Sequence, residues 1–574
     1  MTDPFVGAGL ALATISLAAQ TLNGCITGLQ LISNARSSHV ALLDFRIKLD
    51  IEIARLLLWG RNSGLTGGQL HESLKPIEPL LLDILGIMAN SIDSTDKLKS
   101  VYGVDLVKDD DDGARGSPSS RPGGMVQSMN LLPNAGLTAE LERQRSMAST
   151  IHKKTNLYLK AKWAVWDQAR ANHFIDSIAG YINKLNELLT ESQKAAYDEE
   201  FMAMKIAILG TDWERRVQAL GALHTATVGR HDSIAQPVRL TQLRLELEME
   251  EIAPSPPTVG GTPACLLHVD YESIRPLDGL RSYAKFRNSQ VIIEWKTLSS
   301  KEATGERGRG LMKQAAGLAT LFQALQSQPG VYRVLDCAGY VDHRDRVPAR
   351  YGLAFTLTTT TSPQKPFHTL HDYLSSPEHE YFLPSLGSRF ELARQLTKAF
   401  LQFHQLGWLH KGIRSHNIIF FPKNGQASIH SPYILGFDYS RPSDPAGISD
   451  SPQSDPIFDL YRHPDYQGGR SESFQLRFDL FSIGLLLFEV AKWRPLSNYR
   501  AKMKDAKISP SAFVEWLTAS QCSDLEFRMG VHYQAAVLTC LRGSFGIEGD
   551  DPLDKHLKLA FFEKVVKRLN ACHA

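Results

Sequence analysis

Side chains able to do chemistry are plentiful in this chain, but most stand at spacings that assign no reaction. His404, His410, His416 and His430 lie close together in sequence, yet none of the intervals is a recognised ligand pattern, so no metal site is expected. Cys25, Cys265, Cys337, Cys522, Cys540 and Cys572 are scattered without a C-x-x-C pair, which argues against a zinc site or a disulfide framework and fits a reducing compartment. Lys296 closes the apolar run VIIEWK; a lysine ending a strand assigns no chemistry by itself. The 574 residues carry 63 Lys and Arg against 61 Asp and Glu, a balance that argues against a dedicated nucleic-acid binder and makes any basic patch local.

One stretch is more informative. ELARQLTKAFLQFHQLGWLHKGIRSHNIIFF resembles the helix and catalytic loop of protein kinases, H-R-D-L-x-x-x-N, with His410, Lys411, Gly412 and Asn417 at those spacings. The resemblance puts Gly412 where a kinase carries the aspartate that accepts the substrate hydroxyl's proton, a role for which general-base catalysis supplies ~10²–10⁴ in rate. Glycine has no side chain for that role. Further on, YILGFDYSRP falls where D-F-G is expected, but the order is Gly436-Phe437-Asp438, which removes magnesium's main protein ligand. VIIEWK resembles the V-A-I-K strand, which makes Lys296 the candidate for holding phosphates. DGLRSYAKFRNSQ has one glycine where a glycine-rich loop has three, and the 308–326 helix holds no Glu to pair with Lys296, although Glu302 and Glu306 lie just before it. Scaffold parts survive: YRHPDYQ resembles the A-P-E segment, HYQAAVLTCLRG a late helix, and RFDLFSIGLLLFEV the long buried helix whose carboxylate, here Asp479, holds the catalytic-loop backbone. The kinase resemblance covers about 264–574. It implies an α+β bilobal fold without phosphotransfer, with no cofactor beyond weak ATP binding through vestigial Lys296, Asn417 and Asp438. His410, Lys411, Gly412, Gly436 and Phe437 are then degenerate motif positions. An active kinase with atypical motifs is the alternative.

The elements that position these residues read as strands at CLLHVDY, SQVIIEWKTL, YRVLDCAGYV and RYGLAFTL, with the helix LMKQAAGLATLFQALQ among them, and helices thereafter. The first third is helical. Residues 5–32 contain no charged side chain. A helix of that length could cross a ~30 Å hydrocarbon layer, although its many Gly, Thr, Ser, Asn and Gln residues put its insertion free energy near zero. A buried first helix of a bundle is the competing reading. SSHVALLDFRIKLDIEIARLLLWG reads as one helix with Val40, Leu43, Ile47, Ile51, Ala54 and Leu58 on a single stripe, followed by a helix near 77–92 with Pro79 in its first turn. Residues 106–136 mix acids with Gly, Ser and Pro and read as a disordered loop. Helices resume through ELERQRSMASTIHKKTNLYLKAKWAVWD and FIDSIAGYINKLNELL, with Phe174, Ile178, Tyr181, Ile182, Leu185 and Leu189 on a buried face. Residues 231–263 begin as an amphipathic helix, a linker or a brace, and end in Pro, Ser and Gly.

The uncharged N-terminal helix, FRIKLDIEIARLLLWG, and KAKWAVWD followed by FIDSIAGYINKLNELL together resemble the fungal HeLo domain, also called the prion-inhibition and propagation domain, over roughly 1–230. The resemblance implies an all-α helical bundle whose first helix can be expelled into membranes, with roles in programmed cell death or heterokaryon incompatibility. The chain as a whole is expected to be multidomain: a HeLo-like bundle at 1–230, a linker at 231–263 and a kinase-like domain at 264–574. Ala13, Leu17 and Ala19 are the expected insertion positions. The strip containing Lys153, Lys154, Lys160 and Lys162 is expected to meet anionic lipid, which attracts each charge by ~1 kcal/mol near the surface; a solvated helix face explains the same charges. The expected course is cytoplasmic residence, an unknown upstream activator, self-oligomerisation and movement to the plasma membrane, without nucleic acid. A non-enzymatic adaptor that oligomerises or binds partners is the alternative.

Overall fold

The computed structural model describes residues 16–34, 41–93, 98, 104–108, 161–166, 168–209, 217–249, 258–259, 262–263, 266–287, 289–326, 329–357, 367–375, 383–422, 428–442, 455–467, 473–503, 508–547 and 554–574. Ala13, Lys153, Lys154 and Lys160 lie outside the described residues, as does nearly all of the 106–136 loop. The chain divides into two compact units, Met1–Val238 and Arg239–Ala574.

The first unit is built from α1 (Leu17–Asn34), α2 (Ala41–Asn62), α3 (Glu78–Asp93), α4 (Gln168–Glu187), α5 (Glu191–Leu209) and α6 (Val217–Thr227). Ser16 sets the start of α1, because its hydroxyl accepts the Ala19 N–H at 3.2 Å. α2 is central, in contact with α1, α4, α5 and α6. Every residue from Ile47 to Gly60 is buried, so the single apolar stripe read from the sequence is too narrow. A helix wrapped on all sides has to bury its charged positions as well, and Lys48, Asp50, Glu52 and Arg55 are all buried. α3 carries Pro79 in its first turn, where the missing N–H costs no helix bond.

The helix expected through KAKWAVWD is a strand at its end. β1 (Val104–Lys108) pairs antiparallel with β2 (Ala161–Trp166), with Lys162 opposite Val107. Aromatic and β-branched residues fit a strand, and a partner distant in sequence decides the matter over local helix propensity. Lys162 therefore does not extend a helical basic strip. A further helix, α7 (Asp232–Met249), spans the point where the two units divide, so the front of the expected linker is regular structure.

The second unit contains a five-stranded antiparallel sheet of β3 (Arg275–Pro276), β4 (Arg281–Phe286), β5 (Ser289–Thr297), β6 (Cys337–His343) and β7 (Arg350–Thr356), in the order β3-β4-β5-β7-β6. Residues 266–271 of CLLHVDY are not a strand: Leu266 makes one isolated bridge to Tyr340, and Asp270 caps the turn at Tyr271–Ser273. RSYAKF, passed over in the sequence, forms β4 because the Asp278 carboxylate accepts the N–H groups of Leu280 and Arg281 at 2.8 and 2.7 Å and turns the chain into the strand. β5 is buried from Val291 to Lys296. The helix α8 (Gly305–Leu325) packs on β6 and β7. A helical lobe follows, built on α9 (Leu386–Gln405), α10 (Leu476–Lys492) and α11 (Leu525–Arg542). α10 is its axis, buried at nearly every position and packed on both α9 and α11.

Candidate functional site

Asp479, in the first turn of α10, fixes the loop that follows α9. Its carboxylate accepts the N–H groups of His410 at 2.7 Å and Lys411 at 2.9 Å, and it faces His404 Nε2 at 3.1 Å. This is the scaffold role expected of it. The clamp holds Lys411 at φ 64, a left-handed conformation that a lysine adopts only under such constraint. The Lys411 amine lies over the rings of Tyr466 and Phe474, at 5.7 and 5.4 Å from their centres. The His410 ring is buried, and its Nδ1 accepts the Gly412 N–H at 3.1 Å. Burial pushes the His410 pKa down to about 4, consistent with a neutral ring. The ring packs on Phe437 at 4.7 Å, and Phe437 packs on Phe322 of α8 at 4.5 Å, so an aromatic stack runs from α8 to the loop held by α10. His416 lies against His371 at 3.7 Å, and burial pushes its pKa down to about 3. Among the described residues no group of three His, Cys, Asp or Glu side chains is placed to hold a metal ion.

Gly412, Asn417 and Gly436 interlock. The Asn417 amide donates to the Gly412 carbonyl at 2.6 Å, and its backbone carbonyl accepts the Leu435 N–H at 2.8 Å. Gly436 has φ +89, and a Cβ placed there would stand 1.9 Å from Asn417 Nδ2; at Gly412 it would stand 2.8 Å from the Gly436 carbonyl oxygen. A side chain at either position would therefore have to displace Asn417 or the Gly436 backbone.

Lys296 and Asp438 do come together, in a crevice shared with Gln314, Leu318 and Tyr351 that has room for about one water molecule. Burial raises the Asp438 pKa, against the pull of Arg414, Lys296 and Arg281. The Lys296 amine sits 4.8 Å from the centre of the Tyr439 ring. No carboxylate of α8 reaches this crevice; Gln314 occupies that place and donates to the Ser440 carbonyl at 2.8 Å. Asn417 is held apart by its own partners.

Three residues escaped the sequence reading. Arg281 on β4 and Glu294 on β5 are cross-strand partners, each 4% exposed, with Arg281 Nε 3.1 Å from Glu294 Oε1. The guanidinium also donates to the His416 carbonyl at 3.1 Å and to the Asn417 side-chain oxygen. The Glu294 carboxylate accepts the Gly436 N–H at 2.8 Å on each oxygen and the Phe437 N–H at 3.2 Å. The third, Arg414, is 8% exposed and stacks 3.7 Å over Phe458, with its Nε lacking a hydrogen-bond partner among the described residues; burial pushes its pKa down to about 10. A signal existed for Glu294, a charge inside the apolar run VIIEW, since a buried charge requires a partner. A magnesium–nucleotide complex does not fit these residues, because the Asn417 oxygen is bound by Arg281, position 436 has no carboxylate, and the crevice is water-sized.

In the first unit, Leu17 is 64% exposed at the start of α1, whereas Ala19 is fully buried. Among the described residues no helix is long and apolar enough to cross a membrane.

Residues 9–217 match the HeLo family, described as prion-inhibition and propagation, and residues 308–572 match a family described as a domain of unknown function (DUF7580). A serine/threonine-protein kinase-like protein of Arabidopsis thaliana is 29% identical over 139 residues, which are 23% of this chain and 34% of that relative, so the chain spans only part of the relative's length. Among solved structures, vaccinia related kinase 3 is similar with a TM-score of 0.32 at 16% identity, over 55% of this chain and 94% of that one. The Cydia pomonella Granulovirus kinase is similar with a TM-score of 0.34 at 12% identity, over 53% and 96%. The chain thus has a HeLo-family match over residues 9–217 and, after it, an α+β region, and 139 of its residues are similar in sequence to the kinase-like relative.

Proposed function

We propose that this chain is a membrane-acting effector of programmed cell death or heterokaryon incompatibility, in which a pseudokinase region governs the HeLo bundle. An upstream signal received by the kinase-like region releases the N-terminal segment, the chain self-associates, and the segment enters anionic lipid at the plasma membrane. The observation that carries the pseudokinase half is the interlock of Gly412, Asn417 and Gly436, which fills the places that catalysis and metal binding require. The HeLo match and the uncharged sequence of residues 5–32 support the membrane half.

Leu17 provides the test. It stands near the middle of the uncharged stretch but is exposed in the bundle, so Leu17→Asp should fold normally. A charge at the centre of an inserted helix costs ~2.5–3.5 kcal/mol, enough to keep a near-neutral segment out of lipid. Full-length Leu17→Asp should retain the parent's helical signal and lose both dye release from anionic vesicles and toxicity on expression. Undiminished release by the folded variant, or by a chain lacking residues 1–32, excludes insertion of this segment, and absence of release by the parent excludes the membrane role. A second reading then stands, in which α1 is a core helix of an adaptor; burial of Ala18, Ala19, Leu22, Cys25, Ile26 and Leu29 favours it.

A further inference from the structure

We infer that the Arg281–Glu294 pair is a built-in ligand of the kinase-like region, occupying the cleft between the sheet and the helical lobe so that the lobes close without nucleotide or metal. This goes beyond the absence of phosphotransfer and stands independently of any membrane action. The two halves of the pair divide the work of a metal–nucleotide complex. The guanidinium binds a carboxylate, a backbone carbonyl and the Asn417 amide oxygen, an all-oxygen donor set of the kind a hard cation takes. Asn417 stands at the position from which kinases bind magnesium, and here a fixed cation of the chain itself takes its oxygen. The carboxylate receives two adjacent backbone N–H groups, Gly436 and Phe437, as a phosphate oxygen would.

The connectivity makes this a closure device and more than a local ion pair. Arg281 and Glu294 lie on neighbouring strands of the sheet, whereas His416, Asn417, Gly436 and Phe437 lie on the two loops of the helical lobe. Every contact just described therefore crosses the cleft, except the one between the two side chains. Both side chains are buried, where charges are tolerated only with complete hydrogen bonding; Arg281 also lies 3.6 Å from Asp278, yet losing either member of the pair leaves the other a buried charge short of its nearest charged partner. The pair thus holds both loops or neither.

Hydrogen exchange on the full chain tests the inference. In the parent, amides in 412–417 and 435–438 should exchange slowly without ligand, and ATP with magnesium should leave them unchanged. In Arg281→Ala the same amides should exchange roughly tenfold faster or more through local opening, while β5 and α10 keep their protection. Millimolar ethylguanidinium should restore slow exchange in Arg281→Ala and do nothing for Glu294→Ala, which lacks the carboxylate it would bind. If a single substitution unfolds the region, the volume-matched Arg281→Met, Glu294→Leu chain replaces it; an apolar pair is tolerated in a buried site, and it should fold with both loops fast. Protection of the parent's loops by ATP and magnesium, or loops in folded Arg281 variants as slow as the parent's, would overturn the inference, whatever the vesicle experiment shows.

Discussion

In the HeLo unit, Glu52 accepts from Arg55 at 2.7 Å and faces His231 Nε2 at 2.6 Å, and Arg55 continues to Asn183 at 2.6 Å and Tyr197 at 3.3 Å. In the second unit, Glu294 meets Arg281 and two backbone N–H groups. Both carboxylates are buried, yet their proton affinities move in opposite directions. Burial acts to raise Glu52, but the His231 hydrogen bond and the Arg55 charge outweigh it, so the group sits below its ordinary range. For Glu294 burial wins over Arg281, with Asp438 adding to the rise. The difference lies in the neighbours. Glu52 has two basic side chains and staples α2 to α4, α5 and the segment entering α7, whereas Glu294 shares its guanidinium with the loop oxygens of a cleft that also holds Asp438. A buried ion pair is a staple where it joins helices that pack anyway, and a replacement ligand where it spans a gap.

The largest expected effect breaks the staple. Glu52→Ala leaves Arg55 buried without its main partner and should cost ~3–5 kcal/mol in the first unit's denaturation transition, with little change in the second. Gly436→Ala comes next, because a side chain at φ +89 costs ~1–3 kcal/mol and this one also displaces Asn417. Its transition, read in the second unit, should be more damaged than that of Gly412→Ala, where φ is not positive.

A pH series sharpens the contrast between the units. Glu489 on α10 accepts from Tyr461 and from the Leu496 N–H, both at 2.7 Å, and burial pushes its pKa up to about 7. A folded-state pKa raised in this way contributes stability that is present in acid and lost as pH rises through about 7. Glu52, held low, contributes stability that is lost as pH falls. Between pH 5 and 8 the melting temperature of Glu489→Gln should rise relative to the parent by roughly 2–4 °C, and no such trend should follow Glu52→Gln. The smallest effect is a gain. Gly180 lies inside α4 with nothing within 4 Å of an added Cβ, so Gly180→Ala should stabilise the first unit by ~0.5–1 kcal/mol in urea denaturation.

What the sequence made legible follows the range of the interactions. Asp479 was readable because it belongs to a motif whose spacing fixes its place along one segment, and its carboxylate holds the His410 and Lys411 amides. Phe174, Ile178, Ile182 and Leu185 were readable because helical periodicity alone puts them on one face, and all are buried. Arg281 was invisible: its strand was passed over, and its contact with Asn417 joins residues 136 positions apart. The strand Ala161–Trp166 was misread for the same reason, since its partner Val104–Lys108 lies far back in the chain. The breadth of burial around α2 is likewise a property of the neighbours packed on it. Ala19 looked interchangeable with Leu17 in an uncharged run; only packing separates the buried position from the exposed one.

The most direct measurement of the central claim, a kinase-like region closed on its own side chains and without catalysis, is a phosphotransfer assay. Purified full-length protein is incubated with terminally labelled ATP, magnesium and a panel of protein substrates, beside Lys296→Ala. The account predicts label incorporation equal in the two and no higher than background. Incorporation that depends on Lys296 would contradict it.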